Sequence, residues 1–213
     1  ACLIRQHVMT FLFTAHTNIH KYQRSASPKH TLSQAGATNR CVPGIDDIQR
    51  RLQRFIRGQI SREHDTEKYR ARIFKFGCPV IKTKLDFGDY SAQCELPSGV
   101  TFSLADKAAI ERKMSLNETA NCYTTSRDRF KREFERAQAK NAKLYLLVEQ
   151  ATWEKAYGGM YRSKMKPNAL VASMTTWMAR YDSQILMCHP DTTARLIYDV
   201  LYREMIEALK EID

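Results

Sequence analysis

Three residues in the middle of the sequence have the types and the spacing that phosphoryl chemistry needs. Asp89 follows a glycine, and Glu111 and Lys113 flank Arg112 in the run "KAAIERK". Side chains alternate between the two faces of a strand, so a strand here places Glu111 and Lys113 on one face and Arg112 on the other. If "DYSAQCEL" pairs with this run as an antiparallel hairpin, the numbers of opposite residues have a near-constant sum. This pairing predicts that Asp89 lies beside Glu111.

Two carboxylates next to one ammonium group suit Mg²⁺, a hard cation that takes oxygen ligands and keeps several waters. Such a metal lowers the pKa of a bound water and stabilises charge at a phosphate, while Lys113 orients the water or stabilises the developing charge. The chemistry predicted is phosphodiester hydrolysis. An acid two residues before a lysine is also frequent on exposed strands, so the spacing alone leaves a solvated surface as the alternative.

The elements that must position these residues are predicted from hydrophobic periodicity and from glycine and proline breakers. Strands are predicted at 78–85, 89–96, 100–102, 107–113, 143–149 and 184–188. Helices are predicted at 66–77, 116–122, 126–140, 151–157, 167–180 and 190–209. The run "KLYLLVE" is continuously apolar, which is typical of a strand buried on both faces. The alternation of strands and helices indicates an α/β fold.

The first part of the chain differs in charge and patterning from the rest. Residues 1–58 carry +7 of the net charge of +11, and residues 59–213 carry +4. Residues 1–44 lack sustained periodicity, so we predict a poorly ordered basic arm over 1–58, with a helix at 46–57, followed by one domain over 59–213. The excess of positive charge favours a polyanionic partner.

Several classes of protein are excluded by composition. No run approaches the length of apolar sequence that crosses a membrane, and the N-terminal residues do not have the pattern of a signal peptide. The six cysteines form no C-x-x-C pair, which indicates reduced thiols in the cytosol. His16 and His20 have helical spacing, but no cysteine or acid is spaced to complete a metal site with them.

Four segments, "KLDFGDYS", "IERKMSLNE", "RFKREFERAQAKNAKLYLLVE" and "LIYDVLYRE", resemble the nuclease domain of the XPF family, including the small phage and prophage proteins that carry this domain alone. The resemblance covers residues from about 60 to 210. It implies a restriction-endonuclease-like core with a central mixed sheet flanked by helices. It also implies cleavage of branched DNA (flaps, forks or Holliday junctions) with Mg²⁺ or Mn²⁺, a role in DNA repair and recombination, pairing into a homodimer, and a cytoplasmic location in a prokaryotic or phage-infected cell.

The resemblance also assigns roles to individual residues. Asp89 and Glu111 match metal ligands, Lys113 matches the catalytic lysine, and Arg112 matches the arginine of the Glu-Arg-Lys signature. Glu63 matches the last residue of an upstream Asp-x-Arg-Glu motif. These five residues form the catalytic set that the resemblance implies.

Two positions depart from the family pattern. Ile60 stands where the first Asp of the upstream motif belongs, and Asn117 stands where an Asp follows Glu-Arg-Lys. Isoleucine cannot bind a metal, whereas asparagine keeps one carbonyl oxygen without the charge. A pseudo-nuclease that binds branched DNA without cutting it is therefore an alternative to the active enzyme. A third interpretation is a truncated or frame-altered product whose core lacks its first strand.

Two groups of basic residues are candidates for DNA contact. Arg129, Arg132 and Arg136 fall on one face of the predicted helix at 126–140, where interleaved acids leave a salt-bridged solvent face as the alternative. The loop at 157–169 contains two glycines, two tyrosines and three cations, and a plain mobile loop is the alternative to a DNA-binding one. The cations of the loop are Arg162, Lys164 and Lys166.

Overall fold

A computed structural model of the chain describes residues 56–61, 66–96 and 99–210. Within these residues lie seven strands: β1 (Ile56–Ile60), β2 (Val80–Lys82), β3 (Tyr90–Glu95), β4 (Thr101–Ser103), β5 (Ala108–Lys113), β6 (Lys143–Glu149) and β7 (Gln184–Cys188). The same residues form six helices: α1 (Glu67–Phe74), α2 (Leu116–Tyr123), α3 (Arg127–Ala139), α4 (Trp153–Tyr157), α5 (Pro167–Tyr181) and α6 (Pro190–Lys210).

The strands form one mixed sheet in the order β2-β1-β3-β5-β6-β7, and β4 pairs with β3 outside this path. The pairs β1–β2, β5–β6 and β6–β7 are parallel, whereas β3 is antiparallel to β1, β4 and β5. The apolar run of β6 is explained by its place between two parallel neighbours, where both of its faces are covered. The predicted α/β architecture, a central mixed sheet flanked by helices, is confirmed.

A hydrophobic core lies on each face of the sheet. In the first core, Trp177 of α5 is 1% exposed and stacks on Phe130 of α3, while Phe134 contacts its ring edge-on. The second core packs α1 and α6 against the opposite face. Strand β6 supplies both cores, because Leu146 faces the first and Leu147 faces the second. Each side chain of β5 therefore lies on the face of the first core or on the face of the second core.

The start of the domain differs from the prediction. Ile56 and Arg57, placed at the end of a helix at 46–57, are the first residues of β1, and the predicted boundary after residue 58 falls within this strand. The apolar spacing of Leu52, Phe55 and Ile56 favours a helix, but Ile56 and Arg57 pair with β3 and therefore form a strand. The rest of that helix and the predicted arm lie outside the described residues. Because β1 lies between β2 and β3, the core does not lack this strand.

Two of the exclusions made from the sequence concern residues that the structure describes. No helix in 66–96 or 99–210 is long and apolar enough to cross a bilayer. The four cysteines in these ranges, Cys78, Cys94, Cys122 and Cys188, are free thiols. The pair His16 and His20 lies outside the described residues.

Candidate active site

The register between β3 and β5 brings the two acids of the candidate site together. Tyr90 pairs with Ile110, so Asp89 and Glu111, each one residue further along from this pair, lie next to each other. The backbone N–H of Asp89 donates to the carbonyl oxygen of Ile110 at 2.8 Å, which holds Asp89 against β5. The predicted antiparallel pairing of these runs is confirmed.

Gly88 is required by the turn that presents Asp89. Its φ is +71°, in the left-handed region that favours glycine. A Cβ at this position would lie 2.8 Å from the Cβ of Ala109 and 3.3 Å from the carbonyl oxygen of Ile110. The turn therefore approaches β5 more closely than a side chain would allow.

Asp89 is held by backbone groups from two neighbouring strands. Its Oδ2 accepts a hydrogen bond from the N–H of Arg112 at 2.9 Å, and its carbonyl oxygen accepts one from the N–H of Ser61 at 2.9 Å. The first bond fixes the carboxylate against β5, and the second joins it to the end of β1. Asp89 is therefore a rigid part of the sheet, which favours a fixed arrangement of the site.

Glu111 and Lys113 form a buried ion pair. The Nζ of Lys113 donates to Oε1 of Glu111 at 2.6 Å. The side chain of Lys113 is 9% exposed and that of Glu111 is 7% exposed. Burial, the largest single influence, lowers the pKa of Lys113, but the charge of Glu111, with smaller contributions from Cys122 and Asp89, raises that pKa above its usual value. Lys113 is therefore a cation in this site and acts as a donor of hydrogen bonds.

One oxygen of the cluster has no partner among the described residues. Oε2 of Glu111 is buried and accepts no hydrogen bond, although its other oxygen is paired with Lys113. A buried carboxylate oxygen without a partner is costly, and a metal ion or a bound water removes that cost. Glu111 therefore has a ligand position available on the same strand face as Lys113.

The donor set fits a hard cation with few protein ligands. Mg²⁺ is commonly bound by one or two carboxylates together with waters and substrate phosphate, and Asp89 and Glu111 supply that number. No group of three or more His, Cys, Asp or Glu side chains within 56–61, 66–96 and 99–210 is arranged as a metal site. Glu63, the fifth member of the predicted set, lies outside the described residues.

Glu118 is an additional acid at the site that the sequence analysis missed. Its Oε2 accepts from the N–H of Met114 at 2.7 Å, and its Oε1 lies 3.9 Å from the Nζ of Lys113. Ser115 caps α2 by accepting from the N–H of Glu118 at 3.4 Å. The sequence signal was the Ser-x-x-Glu capping box directly after the strand, which turns the glutamate back towards the helix start.

The side chain of Arg112 lies on the opposite face of β5 from the ion pair. Its Nη1 is 3.1 Å from Oε2 of Glu149, and the Nε of Arg72 is 3.9 Å from the other oxygen of this acid. All three side chains are nearly buried. The guanidinium of Arg112 therefore links β5 to β6 and α1 on the face away from Glu111 and Lys113, and the catalytic role that the resemblance implies for Arg112 stays a prediction. Glu149 was not identified from the sequence.

Comparison with known proteins assigns the family. Residues 61–200 match the ERCC4 domain. The chain belongs to the ERCC4 domain family. It carries the XPF-family nuclease domain that the resemblance indicated. A search of curated proteins found no match.

Two solved structures of XPF from Aeropyrum pernix are similar to the ERCC4 domain of this chain. The first has a TM-score of 0.49 and 18% sequence identity, and the alignment covers 68% of this chain and 64% of that one. The second, described as a complex with DNA, has a TM-score of 0.45 and 19% identity, with coverage of 73% and 64%. The chain thus spans less than two thirds of the length of either structure.

The departure at Ile60 from the pattern that the resemblance implies does not remove an acid from the Glu111 face. Ile60 is 1% exposed and pairs with Tyr90, which pairs in turn with Ile110. Paired residues share a face of the sheet, and all three belong to the second hydrophobic core. A side chain at position 60 therefore points away from the Glu111 carboxylate.

The second departure, Asn117, makes a contact that the sequence did not reveal. Its Oδ1 accepts hydrogen bonds from the backbone N–H groups of Arg162 at 2.5 Å and of Ser163 at 3.1 Å. The acceptor oxygen that asparagine shares with aspartate is thus used by the loop between α4 and α5. This contact places the predicted basic loop beside α2, which begins directly after Lys113.

The three arginines predicted on α3 differ in their surroundings. Arg136 forms an ion pair with Glu133 at 2.7 Å, and its Nε donates to the carbonyl oxygen of Asp86 at 2.5 Å. Arg129 and Arg132 are exposed and form no ion pair with the part of the chain that the structure describes. The salt-bridged alternative therefore describes Arg136, whereas the other two arginines present their charges to solvent.

Proposed function

We propose that this ERCC4 domain is a divalent-metal-dependent, structure-specific DNA endonuclease that hydrolyses phosphodiester bonds in branched DNA such as flaps, forks or Holliday junctions. The observation that carries the proposal is the juxtaposition of Asp89, Glu111 and Lys113, with Oε2 of Glu111 left without a partner among the described residues. A buried glutamate with one uncommitted oxygen, a half-buried aspartate and an adjacent cation are together suited to phosphate chemistry.

Asp89 and Glu111 are the residues that would hold Mg²⁺ or Mn²⁺. A divalent cation supplies a water of lowered pKa and stabilises charge on the phosphate. Glu111 is oriented for this role because Lys113 binds its Oε1 and leaves Oε2 open. Asp89 is oriented by the N–H of Arg112. Both carboxylates are therefore fixed before the substrate binds, which lowers the cost of assembling the site.

Lys113 would act on the substrate through its ammonium group. Its raised pKa keeps the proton on Nζ, so it serves as a donor to the attacking water or to a phosphate oxygen that gains charge. The aromatic ring of Phe130, 5.3 Å from Nζ, and the wall formed by α2 limit the directions from which water reaches it.

DNA binding would come from cations outside the acid cluster. Arg129 and Arg132 of α3 are exposed, as are the three cations of the loop between α4 and α5. Contacts of this kind to phosphates position a duplex without reading its sequence, which suits an enzyme that recognises DNA structure. Cutting a symmetric junction on both strands would require two such sites, and pairing of two chains would supply them.

The structure gives no specific support to a pseudo-nuclease. The departure at Ile60 does not remove a carboxylate from the face of Glu111, because Ile60 lies in the opposite core. The activity is tested by incubating the protein with end-labelled flap, fork, four-way junction and linear duplexes in Mg²⁺, Mn²⁺ or EDTA. Cleavage of a branched substrate in either metal, and none in EDTA, supports the proposal. Binding without cleavage in both metals contradicts it.

A further inference from the structure

The basic loop between α4 and α5 alternates between inward and outward residues. Met160, Arg162, Lys164 and Lys166 are exposed, whereas the residues between them are half-buried. The inward residues Tyr161 and Met165 pack against the first hydrophobic core. This alternation directs the three cations of the loop to solvent.

Contacts within the loop hold it in one conformation. The hydroxyl of Tyr161 donates to the carbonyl oxygen of Met165 at 2.8 Å, and the N–H of Met165 donates to Oγ of Ser163 at 3.3 Å. Gly159 has a φ of +67°, and a Cβ there would lie 2.9 Å from Cγ of Pro167. The loop is therefore built to a fixed shape, in contrast to the mobile loop that its glycines suggested.

Asn117 is the side chain that joins this loop to the catalytic strand. Its Oδ1 accepts from two consecutive backbone N–H groups, at 2.5 Å from Arg162 and at 3.1 Å from Ser163. Asn117 lies in the first turn of α2, four residues after Lys113, and its neighbour Leu116 is 3% exposed and packs in the core. The position of Arg162 is thus tied to the end of β5.

On the basis of the proposed function, we infer that Asn117 is a positioning residue that places Arg162 and Lys164 where they bind the DNA backbone next to the acid pair. The two hydrogen bonds that Asn117 accepts require an acceptor oxygen, but they do not require a negative charge on it. An aspartate supplies the same acceptor, so the acid that the family pattern has here is replaceable by asparagine without loss of the loop contact. The Oδ1 atom of Asn117 thus has a use in binding the loop that requires no metal.

The test compares Asn117→Ala, Asn117→Asp and a matched control, Asn121→Ala, which lies one turn further along α2 and is exposed. DNA binding is measured in EDTA with a labelled fork, so that neither metal nor cleavage contributes. Loop position is measured by the rate of trypsin cleavage after Arg162 and Lys164. Steady-state cleavage in Mg²⁺ gives KM and kcat separately.

We expect Asn117→Ala to weaken binding in EDTA by about tenfold, because two phosphate contacts lose their alignment. We also expect faster trypsin cleavage of the loop and a raised KM with little change in kcat. Asn117→Asp should keep the DNA binding and the trypsin resistance of the wild type, because a carboxylate oxygen accepts the same two hydrogen bonds. Asn121→Ala should behave as the wild type in all three measurements.

The inference is overturned if Asn117→Ala leaves binding in EDTA and trypsin resistance unchanged, or if Asn117→Asp fails to keep them. If Asn117→Ala does not fold, the double variant Arg162→Gln, Lys164→Gln takes its place, because it keeps the hydrogen bonds between Asn117 and the loop. This double variant must weaken DNA binding in EDTA. Unchanged binding contradicts the inference. Absence of cleavage by the wild type would contradict the proposed function alone, since the measurements in EDTA and with trypsin do not depend on it.

Discussion

Ile60 and Tyr90 lie opposite each other on β1 and β3, and both side chains are buried in the core on the face of the sheet that does not carry Glu111. The sequence resemblance to the XPF family implies an acid at position 60. In this chain, an acid there would enter a region of apolar side chains, because Ile60 is 1% exposed among neighbours from α6 and β5.

We therefore expect Ile60→Asp to destabilise the domain by about 3–5 kcal/mol, since it buries a carboxylate and removes apolar contacts. It should not raise cleavage at low Mg²⁺. Urea unfolding gives the stability, and Ile60→Val, with an expected loss of about 1 kcal/mol, is the matched control. A gain of activity at low Mg²⁺ in Ile60→Asp would show that this side chain reaches the site and that the assigned face is incorrect.

The turn before Asp89 gives a second prediction. Gly88→Ala should cost about 1–3 kcal/mol, because it combines a positive φ with a contact of 2.8 Å to the Cβ of Ala109. Gly99→Ala is the matched control, since Gly99 has a φ of +79° but a Cβ added to it would have no neighbouring atom within 4 Å. Thermal unfolding of both variants separates the two effects. Equal losses would mean that the close approach to β5 contributes nothing.

The buried acid behind the site gives a third prediction. Glu149 lies near both Arg112 and Arg72, and its side chain is 8% exposed. Glu149→Ala removes a nearly buried anion that lies close to two nearly buried guanidinium groups, which should cost about 3–5 kcal/mol. Glu207→Ala, in an exposed pair with Lys210, should change stability by less than about 1 kcal/mol. Similar losses in the two variants in urea unfolding would refute a stabilising role for Glu149.

The exposed arginines of α3 give a fourth prediction. In the double variant Arg129→Gln, Arg132→Gln, the logarithm of the binding constant for a labelled fork should fall less steeply with the logarithm of the salt concentration. We expect the slope to become shallower by about two units, one for each phosphate contact. Lys131→Gln is the control on the same helix, because Lys131 is paired with Glu135 at 2.7 Å. Binding isotherms over a range of salt concentrations measure both slopes. An unchanged slope in the double variant would remove α3 from the DNA-binding surface.

Local patterns were sufficient to predict the acid pair and its cation. The alternation of a strand separated Arg112 from Glu111 and Lys113, and the constant sum of an antiparallel ladder placed Asp89 beside Glu111. Both rules depend only on residues within one hairpin. They required β3 and β5 to be neighbours, and this relation is confirmed by the pairing of Tyr90 with Ile110.

Contacts between distant parts of the chain could not be predicted in the same way. Asn117 and Arg162 are 45 residues apart, and their contact depends on how α4 and α5 pack against α2. The ion pair of Glu149 requires the parallel register of β5 and β6, which no short motif specifies. The face of Ile60 required the register of β1, and the start of this strand was predicted as a helix because the apolar residues up to Ile56 have helical spacing.

The central claim is that Asp89, Glu111 and Lys113 form the active site, and single-turnover cleavage by Glu111→Gln tests it most directly. The substitution keeps the shape of the side chain and removes the charge that the metal and Lys113 require. Glu95→Gln, at the exposed far end of β3, is the control. With a branched substrate that the wild type cuts in Mg²⁺, we expect Glu111→Gln to lose about 10³-fold or more in rate while binding of the substrate in EDTA is retained. Cleavage by Glu111→Gln at the rate of the wild type and of Glu95→Gln would contradict the assignment.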